Sequence, residues 1–282
     1  VLTKGSPSEW QTAIPSQIIR GQQEGPFQWD SFTLPMANPW KSWLRTSGID
    51  FSPDGKTAYL CTWDGDVWVV SGIDEKLESL IWRRIAAGGH ETLGLTIVDD
   101  VIYTVADDQI TRYHDVNGDG EIDYYENFNN DWELTSGFHA FCFDLQTGPQ
   151  GEFYFAFGCP VRGGGRSFQR MSRHHGSILR VSKDGSRLDR YATGLRAPNG
   201  IGVSPTGQLT SGGAIGGGVT NLNNLTNSPW SDFGSSPPGA TDQWGAAAAA
   251  PPAEPLLAGV DSATGTATGN MYAATSAAPP AV

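Results

Sequence analysis

The sequence predicts an all-β protein, a β-propeller of about six blades of four-stranded antiparallel sheet. Three observations favour this fold class. Only 17% of the 282 residues are charged, and 36 Gly and 18 Pro argue against a coiled coil or a helical bundle. Strand-like segments are joined by tight turns. These turns recur at intervals of about 40–50 residues, the length of a propeller blade.

The repeated unit is a strand, a tight turn and a second strand. The turns begin at positions 53, 99, 149 and 205, so they lie 46, 50 and 56 residues apart; they fall within Phe51–Leu60, Leu95–Tyr103, Phe141–Phe157 and Ile201–Leu209. Pro fixes φ at the first corner of such a turn and Gly supplies positive φ, which predicts hairpins. Further strands are predicted at Asp66–Ser71, Gln109–His114 and Gly176–Val181. An open sandwich is the alternative, but it lacks this longer period.

The chain divides into three parts by composition. Residues 1–45, rich in Pro and Trp, are interpreted as an N-terminal arm or a first outer strand. Residues 46–212 hold the repeated blades. Residues 213–282 are of low complexity, which by composition alone indicates a disordered tail. The alternatives are that this segment supplies the closing blades or that its residue identities are not secure.

Charge and hydropathy exclude several classes of partner. The net charge of −12 repels nucleic acid and anionic membranes, and no apolar run approaches the ~20 residues of a membrane-spanning helix. The first residue is Val, which suggests a processed N-terminus, and we expect a secreted or periplasmic protein. Cys61, Cys142 and Cys159 show no spacing of a zinc knuckle, a thioredoxin motif or covalent haem. Two alternatives remain: either Cys142 and Cys159 form a disulfide, or all three cysteines are buried free thiols.

Residues 115–126 match a twelve-residue calcium loop. Side-chain oxygens stand at positions 1, 3 and 5, glycine at the sharp bend of position 6, and a carboxylate at position 12. The predicted ligands are Asp115, Asn117, Asp119, the Glu121 carbonyl, Asp123 and Glu126, with Gly120 at the bend. Because a strand precedes the loop, we expect a structural clip on a blade. The alternative is an acidic loop of Asx turns without metal.

His139 is distinguished from the other histidines by its position before a predicted blade strand. The motifs Gly148–Tyr154, Gly176–Gly185 and Ala192–Gly202 follow it in order. This succession resembles the glucose/sorbosone dehydrogenase family. Three further segments, Arg45–Gly55, Trp63–Trp68 and His114–Asp123, resemble most closely the large exported PQQ-dehydrogenase-like proteins of planctomycetes and their relatives. The resemblance covers residues 39–212.

The resemblance implies a propeller that uses calcium and pyrroloquinoline quinone (PQQ) to oxidise a sugar or other small polyol, passing electrons to a c-type cytochrome. His139 matches the family's general base, a role that suits a neutral imidazole. Arg196 matches the catalytic arginine that faces the cofactor. The implied cofactor-site residues are Arg196, Asn199 and His90, the last where the family has a substrate-binding polar residue.

One departure from the family favours a different function. Residues 209–218 contain no acidic residue, although the family has an acidic turn there that holds the cofactor's calcium, and no Lys or Arg follows Arg196. The alternative is therefore a non-catalytic, calcium-stabilised propeller that serves as a structural, carbohydrate-binding or protein-binding module. A third alternative is a lyase or hydrolase that uses His139 with a divalent metal. Fold analogy does not separate these functions.

Overall fold

A computed structural model describes residues 10, 12–22, 25–74, 77–135, 140–160, 172–212 and 219–221. Over these residues the chain forms β-strands and no helix, which confirms the predicted all-β class. The strands are β1 (Ile14–Ser16), β2 (Ile18–Ile19), β3 (Ser31–Phe32), β4 (Thr46–Phe51), β5 (Thr57–Thr62), β6 (Val67–Ser71), β7 (Leu80–Ala86), β8 (Gly94–Val98), β9 (Val101–Val105), β10 (Ile110–His114), β11 (Tyr124–Asn129), β12 (Cys142–Thr147), β13 (Phe153–Phe157), β14 (Ser177–Val181), β15 (Leu188–Thr193), β16 (Ile201–Val203), β17 (Leu209–Gly212) and β18 (Val219–Asn221).

The strands assemble into consecutive antiparallel meanders, as predicted. Strands β4–β7 form blade I, β8–β11 blade II and β12–β15 blade III, each in sequence order. Strands β16–β18 form a three-stranded sheet, the described part of blade IV. The predicted turns close the hairpins β4–β5, β8–β9, β12–β13 and β16–β17. The number of blades beyond these stays a prediction.

The first strands of successive blades lie side by side, so the blades are arranged around a common axis as in a propeller. A repeated hydrogen bond joins these inner strands. The Asp50 carboxylate accepts the backbone N–H of Ile97 at 2.8 Å, from blade I to blade II. The Asp144 carboxylate accepts the N–H of Ile201 at 2.8 Å, from blade III to blade IV.

Apolar side chains fill the spaces between the blades. The cluster between blades II and III includes Phe153, Phe155 and Phe157, all fully buried. Trp68 and Trp82 are fully buried in blade I, where the tryptophans act in packing. From Thr111 to His114 in β10, buried and half-buried residues alternate, because successive side chains of a strand point to opposite faces.

The N-terminal segment packs on blade I. Strand β1 pairs with β7 and adds a fifth strand at the outer edge of the sheet. The Trp82 indole N–H donates to Ser16 Oγ at 2.8 Å, which ties this strand to the core. Strands β2 and β3 form a separate short hairpin. Within the described ranges, no helix has the length and hydropathy needed to cross a membrane.

Candidate functional site

The inner strands begin at one end of the propeller axis, which we call the axial end. Ser47 Oγ donates to the Thr92 carbonyl at 2.6 Å, and Asp50, three residues later, contacts Ile97. Strands β4 and β8 therefore run in the same direction. The loops that precede the inner strands, which we call the axial loops, are residues 40–45, 87–93, 130–141 and 194–200, of which 136–139 lie outside the described residues.

Three of the residues predicted to act at the site lie on axial loops. His90 is exposed on the loop that leads into blade II. Arg196, half-buried, and Asn199, exposed, share the loop that leads into blade IV. The Arg196 carbonyl accepts the N–H of Cys159 at 2.8 Å, so the loop after β13 supports this segment. The structure thus brings Arg196 and Asn199 onto one loop and His90 onto another, with blade III between them.

His139, the predicted base, lies outside the described residues. The chain resumes at Ala140 and enters β12 through Phe141. The N–H of Cys142 donates to Asp107 Oδ1 at 3.2 Å, and the Phe141 ring stacks edge-on to Trp63 with centroids 5.0 Å apart. The residues that follow His139 are therefore anchored at the axial end by blades I and II.

A carboxyl pair at the axial end was missed by the sequence reasoning. Asp107 lies on the loop between β9 and β10 and is hydrogen-bonded to Glu91 of the axial loop before β8. Burial, together with this bond to a second carboxyl group, raises the pKa of Asp107 to about 7. The Asp107 carboxyl therefore exchanges its proton near neutral pH. The position of Asp107 along the chain could have indicated it, because Asp107 and Asp64 both lie two residues after the second strand of a blade.

Asp64 behaves in the opposite way to Asp107 at this equivalent position. It accepts two bonds from Arg45, from Nη2 at 2.6 Å and from Nε at 3.0 Å. This fork lowers the pKa of Asp64 and raises that of Arg45. The axial end thus holds one carboxylate that stays ionised and one carboxyl that exchanges a proton near neutral pH, which is the division of roles that acid–base chemistry uses.

Two adjacent buried histidines lie on the loop between β13 and β14. His175 Nδ1 accepts the N–H of Ser172 at 2.9 Å, which leaves Nε2 as the protonated nitrogen. That Nε2 and the Nδ1 of His174 have no hydrogen-bond partner in the described part of the chain. Burial lowers the pKa of His175 to about 4, so the ring is neutral at pH 7.

The three cysteines, Cys61, Cys142 and Cys159, are free thiols and all are buried. Of the two alternatives that the sequence left open, the structure has three buried thiols and no disulfide between Cys142 and Cys159.

The predicted calcium loop is closed by its own side chains. Both Asp115 carboxylate oxygens accept loop N–H groups, from Gly118 at 2.7 Å and from Gly120 at 2.8 Å. Asp119 Oδ1 accepts the N–H of Glu121 at 2.9 Å. The Asp123 carboxylate accepts from Val116 at 2.8 Å and Asn117 at 3.3 Å, while Asn117 Oδ1 accepts from Asp119 at 2.9 Å. These side-chain oxygens therefore accept the loop's own N–H groups, the arrangement of Asx turns.

Glu126, assigned by the pattern as the bidentate ligand, is engaged elsewhere. It lies within β11 opposite Arg112 of β10, and its Oε2 is 2.6 Å from His114 Nε2 and 3.7 Å from Arg112 Nη1. In a helical calcium loop, position 12 points back toward the bound ion. Here position 12 is part of β11, so strand pairing places the Glu126 side chain beside its neighbours on β10. The Glu126 carboxylate therefore contacts His114 and Arg112 in the sheet.

The loop docks on the preceding blade. The N–H of Ile122 donates to the carbonyl of Ile85 on β7 at 2.9 Å, and Trp10 N–H donates to Glu121 Oε1 at 2.7 Å. Arg83 of β7 also reaches the loop: a Cβ on Gly120 would lie 2.4 Å from its Nη2. A cation from blade I thus already offsets part of the negative charge. No group of three or more His, Cys, Asp or Glu side chains is arranged to hold a metal within the described ranges.

We expect Ca²⁺ to raise the thermal midpoint if the loop is a metal clip. Binding to the folded state alone stabilises by about 2.7 kcal/mol at a hundredfold excess over Kd. Asp119→Ala should abolish the Ca²⁺-dependent shift, whereas Asp184→Ala, which removes a similar turn carboxylate between β14 and β15, should leave it intact. Scanning calorimetry with and without Ca²⁺ measures both. An unchanged wild-type midpoint would establish the metal-free alternative.

No family model and no curated protein matches this sequence. Similar solved structures include an oxidoreductase described as a glucose dehydrogenase from Thermus thermophilus (18% identity, TM-score 0.45, covering 64% of this chain and 62% of that one). Another is the PQQ domain of pyranose dehydrogenase from Coprinopsis cinerea (11%, 0.47, 60% and 43%). A third is a gluconolactonase from Xanthomonas campestris (19%, 0.45, 63% and 57%). The chain spans less than two thirds of each.

Proposed function

We propose that this protein is an exported, PQQ- and calcium-dependent sugar dehydrogenase that oxidises an aldose or related polyol and passes electrons to a c-type cytochrome. The observation that carries the proposal is the placement of His90, Arg196 and Asn199 on axial loops of one propeller end, in the order that the sequence motifs predict. The loop that contains His139 precedes blade III, between them in the chain.

The charge distribution supports a division of this site. In blade III, Lys183 and Arg187 lie in the β14–β15 turn at the opposite end of the axis, whereas Arg196 lies on the axial loop before β16. Blades I and II instead supply Asp64, Glu91 and Asp107 to the axial end. Because PQQ is a polycarboxylate, it suits the Arg196 guanidinium on the axial loop before β16. The sugar then lies toward blades I and II.

In this proposal the bound quinone supplies the hydride-accepting chemistry. His139 takes the proton of the oxidised hydroxyl, and the Arg196 guanidinium orients the cofactor and favours negative charge on its oxygens. The Asp107 carboxyl, hydrogen-bonded to Glu91, lies beside the segment that follows His139. The predicted loop Ca²⁺ has a structural part in tying blade II to blade I.

The decisive experiment is calorimetric titration of the Ca²⁺-loaded protein with PQQ, followed by dye reduction with a panel of aldoses. We expect His139→Ala to lower the turnover of the loaded enzyme by about 10²-fold or more, since general-base catalysis contributes ~10²–10⁴. His114→Ala is the matched control, because His114 is bonded to Glu126 on β11, away from the axial loops. Equal losses in the two variants would contradict the assigned base.

The alternative function is a non-catalytic propeller that binds carbohydrate or protein. It is favoured by the sequence of β17, Leu209–Gly212, which contains no carboxylate where the resembled family holds its cofactor's calcium. Failure of PQQ to bind at any Ca²⁺ concentration would select this alternative over the dehydrogenase.

A further inference from the structure

A row of aromatic side chains with one guanidinium runs across the axial end. It consists of Trp43, Arg45, Trp63, Phe141 and Phe143, and we call it the aromatic row. Arg45 Cζ lies 4.6 Å from the Trp43 ring centroid and 5.4 Å from that of Trp63. The Trp63–Phe141 and Phe141–Phe143 centroids are 5.0 and 5.7 Å apart. The row therefore joins the loop before β4 to the beginning of β12.

One end of the row is open to solvent. Trp43 is 59% exposed although one face of its ring is covered by Arg45. Other tryptophans of blade I, such as Trp68 and Trp82, are fully buried. An exposed indole held in place by a guanidinium offers a rigid apolar surface at small entropic cost, as binding sites do.

The polar groups beside this surface offer both donors and acceptors. The fork between Arg45 and Asp64 uses two of the five guanidinium N–H groups and leaves lone pairs on both carboxylate oxygens. The two side chains are 41% and 34% exposed, so a ligand can reach them. A ligand hydroxyl can donate to Asp64 and accept from Arg45 at once.

Local charge narrows the class of ligand. The positive charge of Arg45 is already balanced by Asp64, and Glu91 also lies close enough to raise the pKa of Arg45. A further anion would meet this excess of carboxylates. A cation would compete with Arg45, which already occupies the aromatic faces nearest the carboxylates. A neutral ligand with an apolar face and hydroxyl edges suits the surface, which is the description of a saccharide ring.

We propose that the aromatic row binds a neutral oligosaccharide, with one sugar ring stacked on Trp43 and its hydroxyls bonded to Arg45 and Asp64. The inference rests on the proposed function only in treating this saccharide as the substrate. Because the row continues from Trp43 through Trp63 to Phe141, it extends beyond one ring, and the preferred ligand is longer than a monosaccharide.

Calorimetric titration without PQQ tests the proposal, with glucose, cellotetraose, maltotetraose and tetragalacturonate as probes. We expect a neutral tetrasaccharide to bind more tightly than glucose and than the anionic probe. Trp43→Ala should weaken tetrasaccharide binding about 3- to 10-fold, the effect of one aromatic contact. Trp43→Phe should retain most of the affinity. Trp29→Ala is the matched control, since Trp29 is 63% exposed but belongs to the segment before β3.

Three results would overturn the proposal. They are no binding of any neutral tetrasaccharide at millimolar concentration, equal affinity for the anionic probe, and equal effects of Trp43→Ala and Trp29→Ala. If tetrasaccharide binding depends on Trp43 but the protein neither binds PQQ nor reduces dye, the dehydrogenase proposal fails and the oligosaccharide proposal stands. If the protein shows PQQ-dependent activity but Trp43→Ala leaves tetrasaccharide affinity unchanged, only the oligosaccharide proposal fails.

Discussion

Gly65→Ala should destabilise the protein by about 4 kcal/mol or more, the largest single effect that we expect. Gly65 has φ of +90°, and a Cβ built on it would lie 2.0 Å from the carbonyl oxygen of Gly89. The obstacle is backbone, so it does not move aside as a side chain does. The Gly89 N–H also donates to the Gly65 carbonyl at 3.0 Å, a bond that separation of the two loops would break.

Gly88→Ala is a closely matched control. Gly88 has φ of +93°, almost that of Gly65, but a Cβ there meets no atom within 4 Å. This variant carries only the cost of positive φ, roughly 1–2 kcal/mol. Urea unfolding of both variants separates the steric effect from the conformational effect. Similar losses in the two would show that the loops before β6 and β8 are not in close contact.

The second large effect concerns the pH dependence of stability at Asp107. Its pKa in the folded protein, about 7, is above the ordinary value of 3.8, so between these values the folded state holds more protons than the unfolded state. Stability is therefore lost as the pH rises through this window. Asp107→Asn keeps an acceptor for Cys142 N–H and a donor for Glu91 at every pH. We expect this variant to exceed the wild type by about 1–2 kcal/mol at high pH, a value discounted for partial exposure.

Urea unfolding at about pH 5 and about pH 8 measures this effect, with the difference between variant and wild type as the readout. The difference should be small at the lower pH and favour Asp107→Asn at the higher pH. Asp100→Asn, at an exposed position of the β8–β9 turn, serves as the control and should show no such change. A pH-independent difference at Asp107 would mean that its pKa is not raised in the folded protein.

The sequence was sufficient for the features that depend on neighbouring residues. Proline and glycine specify three of the four predicted hairpin turns, and the fourth is formed by Asp99 and Asp100, which both adopt positive φ. Strands β10 and β14 begin within a residue of their predicted start. The acidic loop is likewise local, and Asp115 and Asp119 bind N–H groups only a few residues away. For Glu126 the local pattern was not sufficient, because pairing with Arg112 in the sheet decides which partner its side chain meets.

The sequence by itself determined the all-β class, the blade repeat and the segments that carry His90, Arg196 and Asn199. Only the tertiary structure decided which of these segments share one end of the axis, that Glu91 meets Asp107, and that Trp43, Arg45, Trp63 and Phe141 form one row. The physical reason is how far along the chain each interaction acts. Turn chemistry acts over a few residues, whereas a contact between two carboxyl groups or between aromatic rings depends on how separate loops and blades pack together.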